Sequence, residues 1–394
     1  VSPHDGLGTN LIVQVKDGKV MRVLPLENEA INECWLSDKD RFAYEALNGD
    51  ERMTKPMIKQ DGQWQETDWQ TALEYVAHGL HNITHEHGAD AIAALATPYS
   101  TLEELSLLQK LVRGLGSDNV DFRLRQSDFA LDGKVTPWLG MPIAEVDHLK
   151  HVFVIGSFLR KDHPLLAARL RQAVKHGGKL NLLHATDDDL LMPVANKMIK
   201  APSAWLNGLA EIITAIAQAK NIAAPTGFDK VQASAEAQQI AASLLSGGAN
   251  AVLLGNAAAQ HPQASQLHAA AEWIALNTSA KFGYLTEAAN TVGGYLANAI
   301  PGKGANAQQV FARARKAYVL LNAEPKFDSF NPQVARTALD QADMVVVMSA
   351  FKQGTDYADV LVPIAPFSET SGTFVNCEGR AQSFNGTVKP LGET

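Results

Sequence analysis

Ser2-Pro-His-Asp5-Gly6-Leu-Gly8-Thr9-Asn opens the chain, and Asn32-Glu-Cys-Trp-Leu-Ser37-Asp-Lys39-Asp-Arg41-Phe42 closes its first segment. Between them, residues 11–15 and 19–24 are β-rich runs joined by Lys16-Asp17-Gly18, a strong hairpin signal. The polar positions around the hairpin fall as Ser2-x2-Asp5-x3-Thr9-x27-Ser37. Cysteine at all four would make a [4Fe–4S] site, because thiolates hold such clusters. Three hydroxyls and a carboxylate stand there instead, hard oxygen groups poorly matched to that cluster.

Three pieces of this segment carry a resemblance. They are Gly6-x-Gly8-x-Asn10-Leu11, the hairpin Val15-Lys-Asp-Gly-Lys-Val20-x-Arg22-Val23, and Asn32-x-x-x-Leu36-x-x-Lys39-x-Arg41-Phe42. Together they resemble the start of the molybdopterin oxidoreductase superfamily. The branch they are most similar to is the large peripheral-arm subunit of proton-pumping NADH:quinone oxidoreductase, respiratory complex I. In that family's cluster-bearing members, the resemblance implies cysteines at the places of Ser2, Asp5, Thr9 and Ser37. Lys39 keeps the family's basic position, while Asp40 replaces its usual glycine. The expectation is a small β subdomain that packs without metal. An oxygen-ligated metal is the alternative.

Composition narrows the rest. With 394 residues the chain can hold two or three domains around a sizeable core. Hydrophobic residues make up 46% and charged ones 19%, as in ordinary globular proteins. A net charge of −8 argues against a nucleic-acid surface, which would need clustered Lys and Arg. No apolar run is long enough to span a membrane, and the polar start does not read as a signal peptide. Cys34 and Cys377 are the only cysteines, too few for a disulfide framework or a cluster. Val1 at the start and Gly392-Glu-Thr just after a strand-like run make the sequence read as a piece of something longer.

Onward from residue 53, a linker reaches Trp64 and Trp69, and Asp68 caps a predicted helix running to residue 83. Residues 91–96 read as a buried strand, 97–104 as a loop and cap, 105–115 as a helix, and 120–123 as the next strand. A second series follows: strands at 152–156 and 179–184 around a helix from Pro164 to Lys175, a helical stretch over 205–219, then a polar, Ala-rich segment to Ser246. Strands at 251–255 and 281–285 continue it, and a Gly-rich loop spans 291–304. The last third gives strands at 317–321, 344–348 and 359–363, with a helix over 332–339. This rhythm with short loops marks parallel α/β sheets.

The most specific later motif is Glu369-x-x-Gly372-Thr373-x-x-Asn376-x-Glu378-Gly379-Arg380-x-Gln382, similar to the superfamily's C-terminal signature. In pterin-using members such loops hold a dinucleotide at strand ends. Glu378 and Arg380 could clamp each other or a neighbouring protein of the complex. Several features argue against a pterin here. No cysteine stands in Arg123-Leu-Arg-Gln126, His184-Ala-Thr lacks the acidic ending of cofactor-binding relatives, and Gly156-Ser-Phe-Leu-Arg-Lys-Asp162-His-Pro lacks the usual Asn-Pro. His81, His85 and His87 could offer a zinc pair but read as a solvated helix end, and Asp187-Asp-Asp189 as a loop or cap. No dinucleotide, Walker or nucleophile-elbow motif occurs.

The expected fold is α/β and molybdopterin-oxidoreductase-like, with a small N-terminal β subdomain and two parallel-sheet domains, one inserted in the other. Residues 1–55 form the first, 56–128 with 305–394 the second, and 129–304 the insert. No catalytic, metal or cofactor residue is expected in this piece. Iron–sulfur clusters are expected only in the parent subunit's preceding region. The resemblance implies a subunit that, at full length, relays electrons from NADH to quinone among the other peripheral-arm subunits of complex I, on the cytoplasmic face of the membrane. The missing ligand set makes this piece a scaffold within it, with no nucleic acid and no membrane insertion. A working formate-dehydrogenase-like pterin enzyme and a stand-alone ligand-binding protein are the rivals.

Overall fold

The strand His151–Ile155 is buried along its whole length, and its side chains divide by alternation. Phe153 and Ile155 enter a core with Trp205 and the helices Trp205–Lys220, Ala235–Leu245 and Ala264–Asn277. Val152 and Val154 enter the opposite layer, against the helix Pro164–Lys175. A strand covered on both faces reads as a continuous apolar run, which is why its sequence lacks polar alternation. The computed structural model describes residues 1–228 and 231–394. Part of the predicted Ala-rich segment, residues 229–230, lies outside the described residues.

Five parallel strands make the smaller sheet, ordered Lys281–Tyr284, Asn250–Leu254, His151–Ile155, Lys179–His184 and Asn196–Ile199. The larger sheet has seven. Val360–Pro363, Met344–Ser349, Ala317–Leu321, Ile92–Ala96 and Val120–Asp121 run parallel, and Met57–Gln60 with Gln63–Glu66 add an antiparallel edge. Its middle strands are sandwiched in the same way. Val319 and Leu321 pack toward the helices Trp69–His87 and Leu102–Gly114, and Tyr318 and Leu320 toward Ala307–Ala312 and Pro332–Asp340. Residues 53–59 read as a linker in sequence, yet Asp61 and Gly62, both at positive φ, turn residues 57–60 into a hairpin with residues 63–66.

Local signals set most helix starts. Asp68 accepts from the Thr71 amide and starts the long helix as expected. The next helix begins at Leu102, one turn ahead of the expected start. Thr101 and Glu104 form a reciprocal capping box there, which satisfies two otherwise orphaned amides. Thr101→Ala should lower stability by about 1 kcal/mol, read as a shift of the urea midpoint with an unchanged slope. The Gly-rich loop also holds a short helix, Thr291–Leu296, because Gly294 lets the backbone lie against the Phe122 ring.

The opening hairpin pairs Leu11–Lys16 with Lys19–Pro25, turning at Asp17 and Gly18, both at positive φ. Val20 and Val23 pack on Leu47 below it. A second small hairpin, Gly372–Val375 with Ala381–Phe384, carries the C-terminal motif.

Candidate functional site

Ser2, Asp5, Thr9 and Ser37 are all buried, and all lie in the opening turn or at the cap of the helix Asp38–Phe42. Ser2 Oγ donates to Asp40 Oδ1 at 2.6 Å and Ser37 Oγ donates to Asp40 Oδ2 at 3.0 Å. His4 Nδ1 lies 2.8 Å from the same Oδ1. Asp5 Oδ1 accepts from the Leu7 amide, while Asp5 Oδ2 and Thr9 Oγ1 are buried without a protein partner. The family implies a thiolate-bound cluster at these four positions. The donor set present is entirely oxygen, and it does not fit that requirement. Among the described residues, no group of three or more His, Cys, Asp or Glu is arranged to hold a metal.

Burial, with Asp40's charge adding to it, pushes the Asp5 carboxyl up to about 6. A carboxyl whose folded pKa is raised binds its proton more tightly in the folded state. Stability from this group is therefore complete below the unfolded value near 4 and is lost as pH rises through about 6. Asp5→Asn keeps the acceptor for Leu7 and cannot ionise. It should be more stable than the parent by about 1–3 kcal/mol at pH 7.5, with the gap closing below pH 5 in paired urea titrations.

The C-terminal motif works as a fastener between elements far apart in sequence. Glu369 forms a two-pronged ion pair with Arg52, at 2.7 and 2.8 Å, and both side chains are buried. Gly372 sits where a Cβ would meet the Thr101 side chain at 2.5 Å, and the Thr373 amide donates to Glu103. Asn376 Nδ2 donates to the Leu7 carbonyl, and its Oδ1 accepts from the Glu378 and Arg380 amides across the turn that Gly379 completes at positive φ. Gln382 Nε2 donates to the Gly8 carbonyl at 3.0 Å. A Cβ on Gly8 would come within 2.1 Å of Gln382 Oε1, so the opening glycine and the C-terminal motif are cut to each other. Glu378 clamps Arg380 at 2.6 Å with one oxygen and accepts the Ile143 amide with the other.

Cys377 extends this fastening. Its amide donates to Gly6 and its carbonyl accepts from Leu139, both at 2.7 Å, and burial pushes its thiol pKa upward. Leu139 and Gly140 in turn lie against Phe282 and Gly283 of the smaller sheet, where a Cβ on Gly283 would be 1.9 Å from the Leu139 carbonyl. The hairpin 372–384 thus touches the opening turn, the start of the helix Leu102–Gly114 on the larger sheet and the segment beside the smaller sheet's edge. The sequence offers these residues as a motif without their partners. It gives no sign of Arg52, one charged residue in the polar run Gly49-Asp-Glu-Arg52.

Parallel sheets gather ligands outside the carboxyl ends of their strands, where the strand order reverses. In the larger sheet that point lies between Ile92–Ala96 and Ala317–Leu321. A cavity of about 350 Å³ opens there, bounded by Thr97, Asn322 and Ala350 at the strand ends and covered by His4 and Phe367. Its acidic lining residues are Glu104 and Glu324, and among the described residues no Lys or Arg lines it. A pterin dinucleotide brings phosphates, which such a lining does not fit. Arg125, whose charge reaches Tyr99 in the cavity wall, is held between Glu287 and Asp328. At the smaller sheet's strand ends, burial holds His163 down to about 3, and Ser157 Oγ and both His184 ring nitrogens lack hydrogen-bond partners in the protein.

The remaining candidates lie at the surface. His81, His85 and His87 are exposed on the last turns of their helix, with His87 within 4 Å of Glu86 and Asp343. Asp187 pairs with Lys197, and Asp189 accepts from the Leu191 amide in a loop.

Residues 1–45 match the family profile described as NADH-ubiquinone oxidoreductase NDSU1/NuoG-like, 4Fe-4S domain. This overturns the expectation that this piece carries no cofactor and that iron–sulfur clusters belong only to the preceding region. The 4Fe-4S domain itself lies here, recognisable from its turn and hairpin frame although its ligand positions carry oxygen. The G subunit of NADH-quinone oxidoreductase from Rickettsia felis is 27% identical over 396 residues, covering all of this chain and 52% of the relative. A Staphylococcus haemolyticus protein provisionally named a formate dehydrogenase is 25% identical, covering all of this chain and 47% of the relative. The chain therefore spans about half the length of these relatives. Among solved structures, acetylene hydratase from Pelobacter acetylenicus superposes with a TM-score of 0.67 at 15% identity, over all of this chain and 66% of that one. With the profile described as molybdopterin oxidoreductase matching residues 52–394, the chain belongs to the molybdopterin oxidoreductase family.

Proposed function

We propose that this chain is part of a NuoG-like subunit of a complex I-type NADH-quinone oxidoreductase and that it acts there as a framework around its 4Fe-4S-type domain. The observation that carries this reading is the C-terminal motif, whose Glu369, Asn376, Cys377 and Gln382 hold the opening domain against both sheets. In this reading residues 1–55 are the β subdomain, 56–128 with 305–394 one α/β domain, and 129–304 the insert. Sheet membership supports the division, since every strand of the smaller sheet lies between residues 151 and 284. No helix among the described residues is long and apolar enough to cross a membrane, in keeping with a peripheral place in a membrane-bound complex beside other peripheral-arm subunits.

A framework and an electron carrier respond differently to loosening. Glu369→Gln in the full-length subunit should reduce the amount of assembled complex while leaving NADH:quinone turnover per assembled complex unchanged. A fall in turnover per complex, with assembly intact, contradicts the reading. The Staphylococcus relative supports a second reading, a formate-oxidising pterin enzyme. Formate-dependent dye reduction by the purified full-length protein would favour it, and the acidic cavity lining argues against it.

A further inference from the structure

We propose that Asp40 is the tie that joins the two ends of the four family ligand positions, doing with hydrogen bonds what bonds to a shared metal centre do in the family's cluster-bearing members. Ser2 and Ser37 stand at the first and last of the four positions and are 35 residues apart in sequence, and both donate to the one Asp40 carboxylate. His4 adds a third contact to it at 2.8 Å. The carboxylate is fully enclosed, with a side-chain exposure of 0%.

The surrounding bonds make the junction two-sided. On the helix side, the Asp40 amide donates to Ser37 Oγ while Ser37 Oγ donates back to the carboxylate, so cap and carboxylate fix each other. On the turn side, Ser2 Oγ also accepts the His4 amide, and the Ser2 amide donates to the Thr9 carbonyl. Ser2 is thereby fixed within its own turn before it meets Asp40. A buried anion needs several donors to be tolerated, and three converge on it here. Glycine, the residue the family resemblance implies at this position, offers none of these bonds. The helix Asp38–Phe42 is too short to stand alone, so the tie holds it to the turn as much as the turn to it.

Asp40 and its three donors form this tie whether or not the chain serves as a framework in a larger complex. Hydrogen exchange of the full chain tests it. Asp40→Gly should speed exchange of the amides within residues 2–9, Pro3 having none, by about tenfold to a hundredfold, the scale of hydrogen bonds to a buried charge. Residues 102–114, in a separate helix, should keep the parent's protection. Asp38→Gly alters the same helix at an exposed position and should leave residues 2–9 protected. Should Asp40→Gly not fold, Ser2→Ala removes one donor only and should still speed residues 2–9 by about tenfold. Equal protection of residues 2–9 in the Asp40 and Asp38 variants overturns the proposal. So does finding about four iron atoms per chain in anaerobically purified parent protein that are lost on Ser2→Ala, since metal would then be joining these positions.

Discussion

Replacing Glu369 with alanine should cost the folded chain about 3–5 kcal/mol, the loss seen when one partner of a buried ion pair is removed. Arg52 would keep its charge in a site where its own side-chain exposure is 2%. Its remaining bonds, from Nε to the Ala350 carbonyl and from Nη1 to the Leu47 carbonyl, do not neutralise it. The Leu391 amide, which donates to Glu369 Oε2, would also lose its acceptor. Glu369→Gln should cost less, because one amide oxygen still accepts. Urea denaturation of the three proteins checks this. A loss below about 1 kcal/mol for alanine would place the pair with surface ion pairs and remove its role as a fastener.

Trp205→Ala should be as damaging, at about 3–5 kcal/mol. Trp205 is 1% exposed and stands in the core between the smaller sheet and its helices. Its ring fills the space above Gly156, where a Cβ would lie 2.7 Å from it, and its Nε1 donates to the Lys200 carbonyl. His184 and His261 flank it, with ring centroids 6.3 and 5.7 Å away. Alanine would leave a cavity and an unpaired carbonyl together. Trp205→Phe fills most of the space and should cost clearly less. Thermal unfolding should show the same ranking, alanine below phenylalanine below the parent. Equal midpoints for the two variants would mean that the neighbouring side chains close the gap.

The parallel sheets are legible in the sequence because their strands are buried on both faces. Runs such as Ala317–Leu321 and Met344–Ser349 are apolar with little interruption and bounded by turns. Elements that escape such a reading have weaker local marks. Met57–Gln60 and Gln63–Glu66 mix polar and apolar residues, since they form an edge with one side open. Asn196–Ile199 alternates so briefly that only its pairing with Lys179–His184 makes it a strand. The helix Ala264–Asn277 is hard to see because alanines blur its apolar face.

The candidate site is legible as a set of residues and not as an arrangement. Ser2, Asp5, Thr9 and Ser37 can be picked out by spacing, but that Asp40 turns back between Ser2 and Ser37 depends on the backbone path. The Glu378–Arg380 clamp is foreseeable from a separation of two residues across a glycine turn. The Glu369–Arg52 pair, 317 residues apart in sequence, is not. Expecting no cofactor in this piece follows from four missing thiols, against a frame that still resembles the cluster domain. The frame decides the domain, whatever stands at its ligand positions.

The measurement that bears most directly on the framework role is native electrophoresis of the full-length protein, extracted from its own membranes in mild detergent and stained for NADH oxidation. The framework reading predicts that this chain runs in the NADH-oxidising band, well above its own mass, and that Glu369→Gln thins the band. Migration of the chain apart from that band, alone or with a formate-oxidising activity, would contradict it.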